Sequence, residues 1–131
     1  MAEQHRRLRS DVPQVIEAFR TLDEAVMIEG ALSRKVKELI ALAISATKQC
    51  DGCIAAHARG AAVQNATEAE VAEAMAVVVL MNGGPGTVWG PRSLDAYREF
   101  AAATGAASAG RSGVAAQDGT EHAAGDHDRE T

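Results

Sequence analysis

Large side chains are scarce in this sequence. Its aromatic residues are Phe19, Trp89, Tyr97 and Phe100, and much of its 47% hydrophobic content is alanine. A core built from such residues is thin for a monomer. Long apolar runs are also missing: no stretch of about 18 consecutive apolar residues occurs, which excludes a membrane-spanning helix on the usual length criterion. The opening MAEQHRRLRSDV has no apolar segment after its positive charges, so it does not read as a secretion signal, and the cytoplasm is the expected compartment. The basic cluster Arg6, Arg7 and Arg9 is short and terminal in a chain of net charge −5. Phosphate backbones require more than that, so nucleic acid is not an expected partner, and residues 1–9 read as a solvated, flexible basic arm. Cysteine is scarce as well. The chain has two, and both lie in KQCDGCIAAHARG, residues 48–60.

What is present is helical periodicity. Val12, Val15, Ile16, Phe19, Leu22 and Val26 recur at helix spacing, with Ser10 or Asp11 available as cap, Pro13 in the first turn and Gly30 as stop. This predicts an amphipathic helix with one buried stripe. From Ser33 a second helix carries Val36, Leu39, Ile40, Ala43 and Ile44 on one stripe and is apolar nearly all round from residue 39, which predicts a central, buried element. A third runs from about Cys50 to Gln64, with Asn65 suited to a left-handed C-terminal position. Thr67 and Glu70 form a capping box ahead of Val71, Ala74, Met75, Val78 and Val79. The run Val77–Met81 has strand propensity, but its continuity with the capped segment favours helix.

After Gly83 and Gly84 a last helical segment carries Leu94, Tyr97 and Phe100 on one side, and Pro91 is expected to kink or divide it. Beyond residue 104 Val114 is the one large apolar residue, so residues 105–131 are expected to form a disordered acidic tail. The fold class expected is therefore all-α: a single compact helical domain of about five to six helices over residues 10–104. A domain of that size buries little surface per residue, which points to a homo-oligomer.

The chemistry concentrates in four residues. On a helix, positions 50, 53 and 57 point within about 60° of one another, so Cys50, Cys53 and His57 share a face. Cys50 lies near the helix start, where the macrodipole favours a thiolate. A thiolate, a second thiol in reach and an imidazole describe a redox-active dithiol. Glu38 opens the apolar run ELIALAISA; a carboxylate there, touching His57, would fix its tautomer and make it a proton acceptor. The alternative is a solvated Glu38 pairing with Arg34 one turn back, and a His57 that is an ordinary hydrogen-bonded core residue. Other uses of a cysteine pair fit less well. A structural zinc site wants a second ligand pair, and His5, His122 and His127 lie in the terminal segments. Haem attachment needs histidine where Ile54 stands, and a thioredoxin-like motif needs strands.

The spacing Glu38, eleven residues, Cys50, two residues, Cys53, three residues, His57 resembles that of the AhpD-like alkylhydroperoxidases of the carboxymuconolactone decarboxylase superfamily. NGGPGTVWGPRSLDAYREF resembles the segment that closes the core domain of that family, and the likeness spans roughly residues 12–101. It implies an all-α fold that assembles as trimers or hexamers, with the redox site near a subunit interface. It implies a thiol-dependent hydroperoxide reductase in which Cys53 attacks the peroxide, Cys50 is the more accessible resolving thiol, and Glu38 and His57 relay protons. It implies an organic hydroperoxide or hydrogen peroxide as substrate, a lipoyl-bearing or other thiol-disulfide partner as reductant, and no metal or organic cofactor. One departure is Gly52, where well-studied peroxidase members carry histidine. That leaves two further readings open, a dithiol-disulfide oxidoreductase with little peroxidase activity and a non-enzymatic redox-sensing oligomer.

Overall fold

A computed structural model describes residues 2–105, which form six helices and, among the described residues, no strand. They are α1 (Ala2–Asp11), α2 (Pro13–Met27), α3 (Arg34–Thr47), α4 (Asp51–Val63), α5 (Glu68–Asn82) and α6 (Gly84–Thr104). The acidic tail expected to be disordered lies, from residue 106, outside the described residues. No described helix is long and apolar enough to cross a membrane.

Helices α3 to α6 pack into one bundle whose buried centre is Leu42, Ile54, Ala58, Ala61, Ala62, Val71, Met75, Val78, Tyr97 and Ala101. Alanine supplies much of it, so helix axes approach closely instead of being spaced by large side chains. Tyr97 is the bulkiest fully buried group, and its hydroxyl donates to the Ala66 carbonyl at 2.5 Å, tying α6 to the α4–α5 turn. Burial, helped by the negative charge of Glu68 and Glu70, pushes its phenol above the ordinary range, so it remains a donor at neutral pH.

The helix ends follow local chemistry. Ser33 caps α3 by accepting from the Val36 N–H at 3.2 Å. At α5, Thr67 Oγ1 accepts from Glu70 N–H while Glu70 Oε2 accepts from Thr67 N–H, the reciprocal pair expected from the sequence. Two helices close with Schellman geometry. Asn65 takes φ 57° after α4, as its side chain suggests, and Gln49 takes φ 55° after α3, a position more often given to glycine. Gly83 joins α5 to α6 at φ 62° and ψ −131°, a conformation open to glycine.

Three expectations need correction. The α2 stripe is not buried: Val15, Phe19, Leu22 and Val26 are exposed, Phe19 at 70%, while Met27 is buried. Helical amphipathicity marks a face that needs cover, and no other part of the described chain covers this one. On α3 the inward face is Glu38, Leu42, Ser45 and Ala46, whereas Ile40 and Ile44 point outward. With both faces apolar, hydropathy alone could not say which faced the bundle. Of the two outcomes expected at Pro91, a kink or a division, division is not found, and α6 runs through it. Proline leaves the Thr87 carbonyl without its helical partner, but both residues are on the exposed side, where water can take that place. Residues 3–9 of the N-terminal arm are exposed, yet residues 2–9 are helical, within α1, which lies against α2.

The α5 cap also carries a pH-dependent contribution. Lys35 Nζ lies 2.7 Å from Glu70 Oε1, and this contact, with the Thr67 backbone bond, holds the Glu70 carboxyl below its ordinary value of 4.5. A depressed carboxylate stabilises the fold above its unfolded value and loses that contribution as pH falls through its folded one. Glu70→Gln should therefore lower stability at pH 7 by about 1 kcal/mol or less, the range for a part-exposed pair. The difference from wild type should vanish as the medium is acidified below pH 4, measured by denaturant titration at both pH values.

Candidate functional site

The turn between α3 and α4 builds the site. Lys48, Gln49 and Cys50 donate their N–H groups to Ile44, Ala46 and Ser45 carbonyls at 2.9, 3.1 and 3.1 Å, closing α3. Cys50 is thus the last link of one helix's C-terminal motif and the N-cap of the next, with φ −99° and ψ 95°. Its Sγ accepts from the Cys53 N–H at 3.3 Å. Cys50 and Cys53 are joined as a disulfide with their Cα atoms 5.3 Å apart. The sulfur of Cys50 therefore sits where unpaired helix N–H groups favour negative charge, the setting that lowers a thiol's pKa in a reduced pair. Cys53, in the first turn, is exposed, while Cys50 is partly buried against the end of α3. In the single chain this reverses the order of accessibility that the family resemblance implies.

One helical turn beyond Cys53, His57 projects toward α3. Its Nδ1 lies 2.9 Å from Glu38 Oε2. Glu38 is only 5% exposed, and a buried carboxylate needs a donor. The ionised carboxylate can only accept, so the hydrogen bond places the imidazole proton on Nδ1 and leaves the Nε2 lone pair free to take a proton. Arg34 is near as well, its Nε 3.9 Å from Glu38 Oε1, but at that distance and half exposed it is the weaker partner. Glu38 thus lies near both partners that the sequence offered, with His57 the closer contact, but it is buried and not solvated. Every buried side-chain nitrogen and oxygen among the described residues has a partner, Ser45 Oγ donating to the Ala41 carbonyl at 2.6 Å.

The structure pairs Cys50 with Cys53 at the start of α4 and His57 with Glu38 one turn further along it. It adds neighbours that the sequence reading did not assign. Arg92 Nη2 on α6 lies 3.2 Å from Asp51 Oδ1, inside the Cys-x-x-Cys motif, and its guanidinium stands 4.3 Å from the centroid of the Trp89 ring. The Trp-x-x-Arg spacing signals a shared helix face, but nothing in the sequence links it to residue 51. Gly60, at the end of the quoted stretch, backs onto the Glu38 carboxylate. No group of three or more His, Cys, Asp or Glu side chains among the described residues is arranged to hold a metal ion.

This geometry separates the two partners of Glu38 by energy. His57→Leu removes the close donor and leaves a buried carboxylate, which should cost about 2–3 kcal/mol, the scale of a hydrogen bond to a charged group. Arg34→Ala removes a long, half-exposed contact and should cost about 1 kcal/mol or less. Chemical denaturation of both variants checks the ranking; equal costs would show that Arg34 supports the carboxylate as much as His57.

Residues 13–96 match the family model described as the carboxymuconolactone decarboxylase family. An uncharacterized protein of Cupriavidus necator is 37% identical over 82 residues, covering 63% of this chain and 73% of its own length. An uncharacterized protein of Haemophilus influenzae is 39% identical over 90 residues, covering 69% and 80%. Among solved structures, an apo carboxymuconolactone decarboxylase family protein of Legionella pneumophila superposes with a TM-score of 0.72 at 36% identity, covering 76% of this chain and 89% of that one. With the family model spanning most of the helical bundle and the dithiol helix inside it, this chain belongs to the carboxymuconolactone decarboxylase family.

Proposed function

We propose that this protein is a thiol-dependent hydroperoxide reductase of the AhpD-like type. The observation that carries the reading is the Cys50–Cys53 pair at the start of α4, with the His57–Glu38 hydrogen bond one turn further along. In the reduced protein His57 Nε2 takes the Cys53 proton. The Cys53 thiolate attacks one oxygen of ROOH, the O–O bond breaks, and the leaving alkoxide collects a proton as ROH, leaving a Cys53 sulfenic acid. The Cys50 thiolate then attacks the Cys53 sulfur and displaces water, forming the disulfide. Two electrons and two protons from a dithiol partner, such as a lipoyl group, restore both thiols. The reducing cytoplasm suits a pair that must be reset after each turnover.

Gly52 favours a second reading. A Cβ built there would meet nothing within 4 Å, so the space beside Cys53 that a relay histidine occupies in peroxidase members is open here. An exposed Cys53 with open space beside it suits thiol-disulfide exchange with another protein. Peroxide-dependent thiol oxidation distinguishes the two activities. After anaerobic reduction, one equivalent of tert-butyl hydroperoxide should consume two thiols per chain and yield one equivalent of alcohol. Cys53→Ser should not react, and Cys50→Ser should react once and stop at a sulfenic acid trapped by dimedone. Retention of both thiols by the wild type would leave disulfide exchange as the activity.

Assembly belongs to the same proposal. The exposed Val15, Phe19 and Leu22 of α2, and Leu80 and Met81 of α5, are covered in a homo-oligomer, a trimer or hexamer. Light scattering at micromolar concentration should give a multiple of the 13.6 kDa chain mass. Phe19→Glu with Leu22→Glu should reduce that mass, because buried charge opposes association; a monomeric wild type would remove the proposal.

A further inference from the structure

The Glu38 carboxylate reaches His57 by lying against the backbone of α4 at Gly60. A Cβ added to Gly60 would fall 2.7 Å from Glu38 Oε1 and closer still to Cδ and Oε2. Carbon and oxygen atoms do not approach so closely without repulsion. His57 and Gly60 are three residues apart on one helix, so they present neighbouring positions to the same group on α3. Gly52, in the same helix, has nothing within 4 Å of its would-be Cβ, so the contact is particular to residue 60.

Glycine inside a helix is less favourable than alanine because it loses more backbone freedom on folding. Gly60 therefore weakens α4 locally while giving the carboxylate room. We infer that Gly60 is a positioning residue whose missing side chain forms the slot that holds Glu38 Oε2 against His57 Nδ1. The obstructing atoms are the end of a flexible side chain, not backbone. An alanine at 60 is thus accommodated by swinging the carboxylate aside, leaving the helix intact and the imidazole without its orienting acceptor.

The geometric part stands on this contact; the effect on rate rests on the hydroperoxide reductase reading. The test uses the full chain carrying Gly60→Ala. Its melting temperature should fall by a few degrees, because losing the bond to a buried carboxylate outweighs the helix gain from alanine. The ¹⁵N signals of neutral His57 should move from the Nδ1–H form toward the Nε2–H form, a change that simple helix stabilisation does not produce. Reaction of the reduced dithiol with tert-butyl hydroperoxide should slow by about 10² to 10⁴, the scale of general base catalysis. Adding Glu38→Gln should slow it little further, since groups acting as a unit are not additive.

An unchanged tautomer in a folded Gly60→Ala protein would overturn the inference. If the wild type does not react with peroxide, the proposed activity fails, and the tautomer comparison still decides the role of Gly60. A second pair of variants removes dependence on the first one folding. In a Glu38→Ala background no carboxylate remains to displace, so Gly60→Ala should raise the melting temperature by several degrees. A fall instead would show that α4 needs glycine for its backbone packing, and would overturn the inference as well.

Discussion

The structure is organised around a carboxylate that it buries. Glu38 lies on the inward face of α3 beside Leu42, Ser45 and Ala46, where a charge is tolerated only if something donates to it. His57 donates from α4 across a 2.9 Å contact, which sets how α4 is rotated against α3. That rotation in turn puts Ile54, Ala58, Ala61 and Ala62 into the bundle and leaves the first turn of α4, with Cys53, facing out. One polar contact thereby fixes both the core face of the helix and the outward position of Cys53. It also explains why small residues dominate α4's inner side, since a hydrogen bond of this length requires the two helix axes to stay close.

The parts of this arrangement that were legible in the sequence are those encoded locally. The capping box of Thr67 and Glu70 and the left-handed Asn65 depend on residues within one or two turns of each other, and both appear as read; the face expected to hold Cys50, Cys53 and His57 is altered by Cys50, which stands before α4 as its N-cap. The pairing of Glu38 with His57 spans 19 residues and was legible only as a chemical need, a charged group opening an apolar run. Gly60 and Arg92 were not legible in function. A glycine in a helix has no pattern of its own, and the contact of Arg92 with Asp51 joins residues 41 apart.

The misplaced faces have one physical cause. Apolar periodicity in α2 and α3 reports how much surface must leave water, not which surface covers it. Where a helix is apolar on one stripe only, the stripe is normally the core; in this chain α2 keeps that stripe outside. Helix α3 is apolar on both sides and divides its residues between an inner face of small and polar groups and an outer face with Ile40 and Ile44. The scarcity of large side chains in the centre and their abundance on the outside are two views of one composition. An alanine core leaves the valines, leucines and isoleucines elsewhere.

The disulfide closes a loop with a sequence separation of three. In the chain-entropy picture the restriction that a cross-link places on the unfolded chain grows with the logarithm of loop length, so a loop this short restricts it least. Opening or closing the pair then shifts stability through the denatured ensemble by about 2 kcal/mol, less than a long-range cross-link would. The cap on α4 needs only an acceptor, and the Cys50 sulfur can serve as one in either oxidation state. The state of this bond is in consequence coupled to folding more weakly than that of a long-range cross-link. The same bundle can hold the sulfurs through either state.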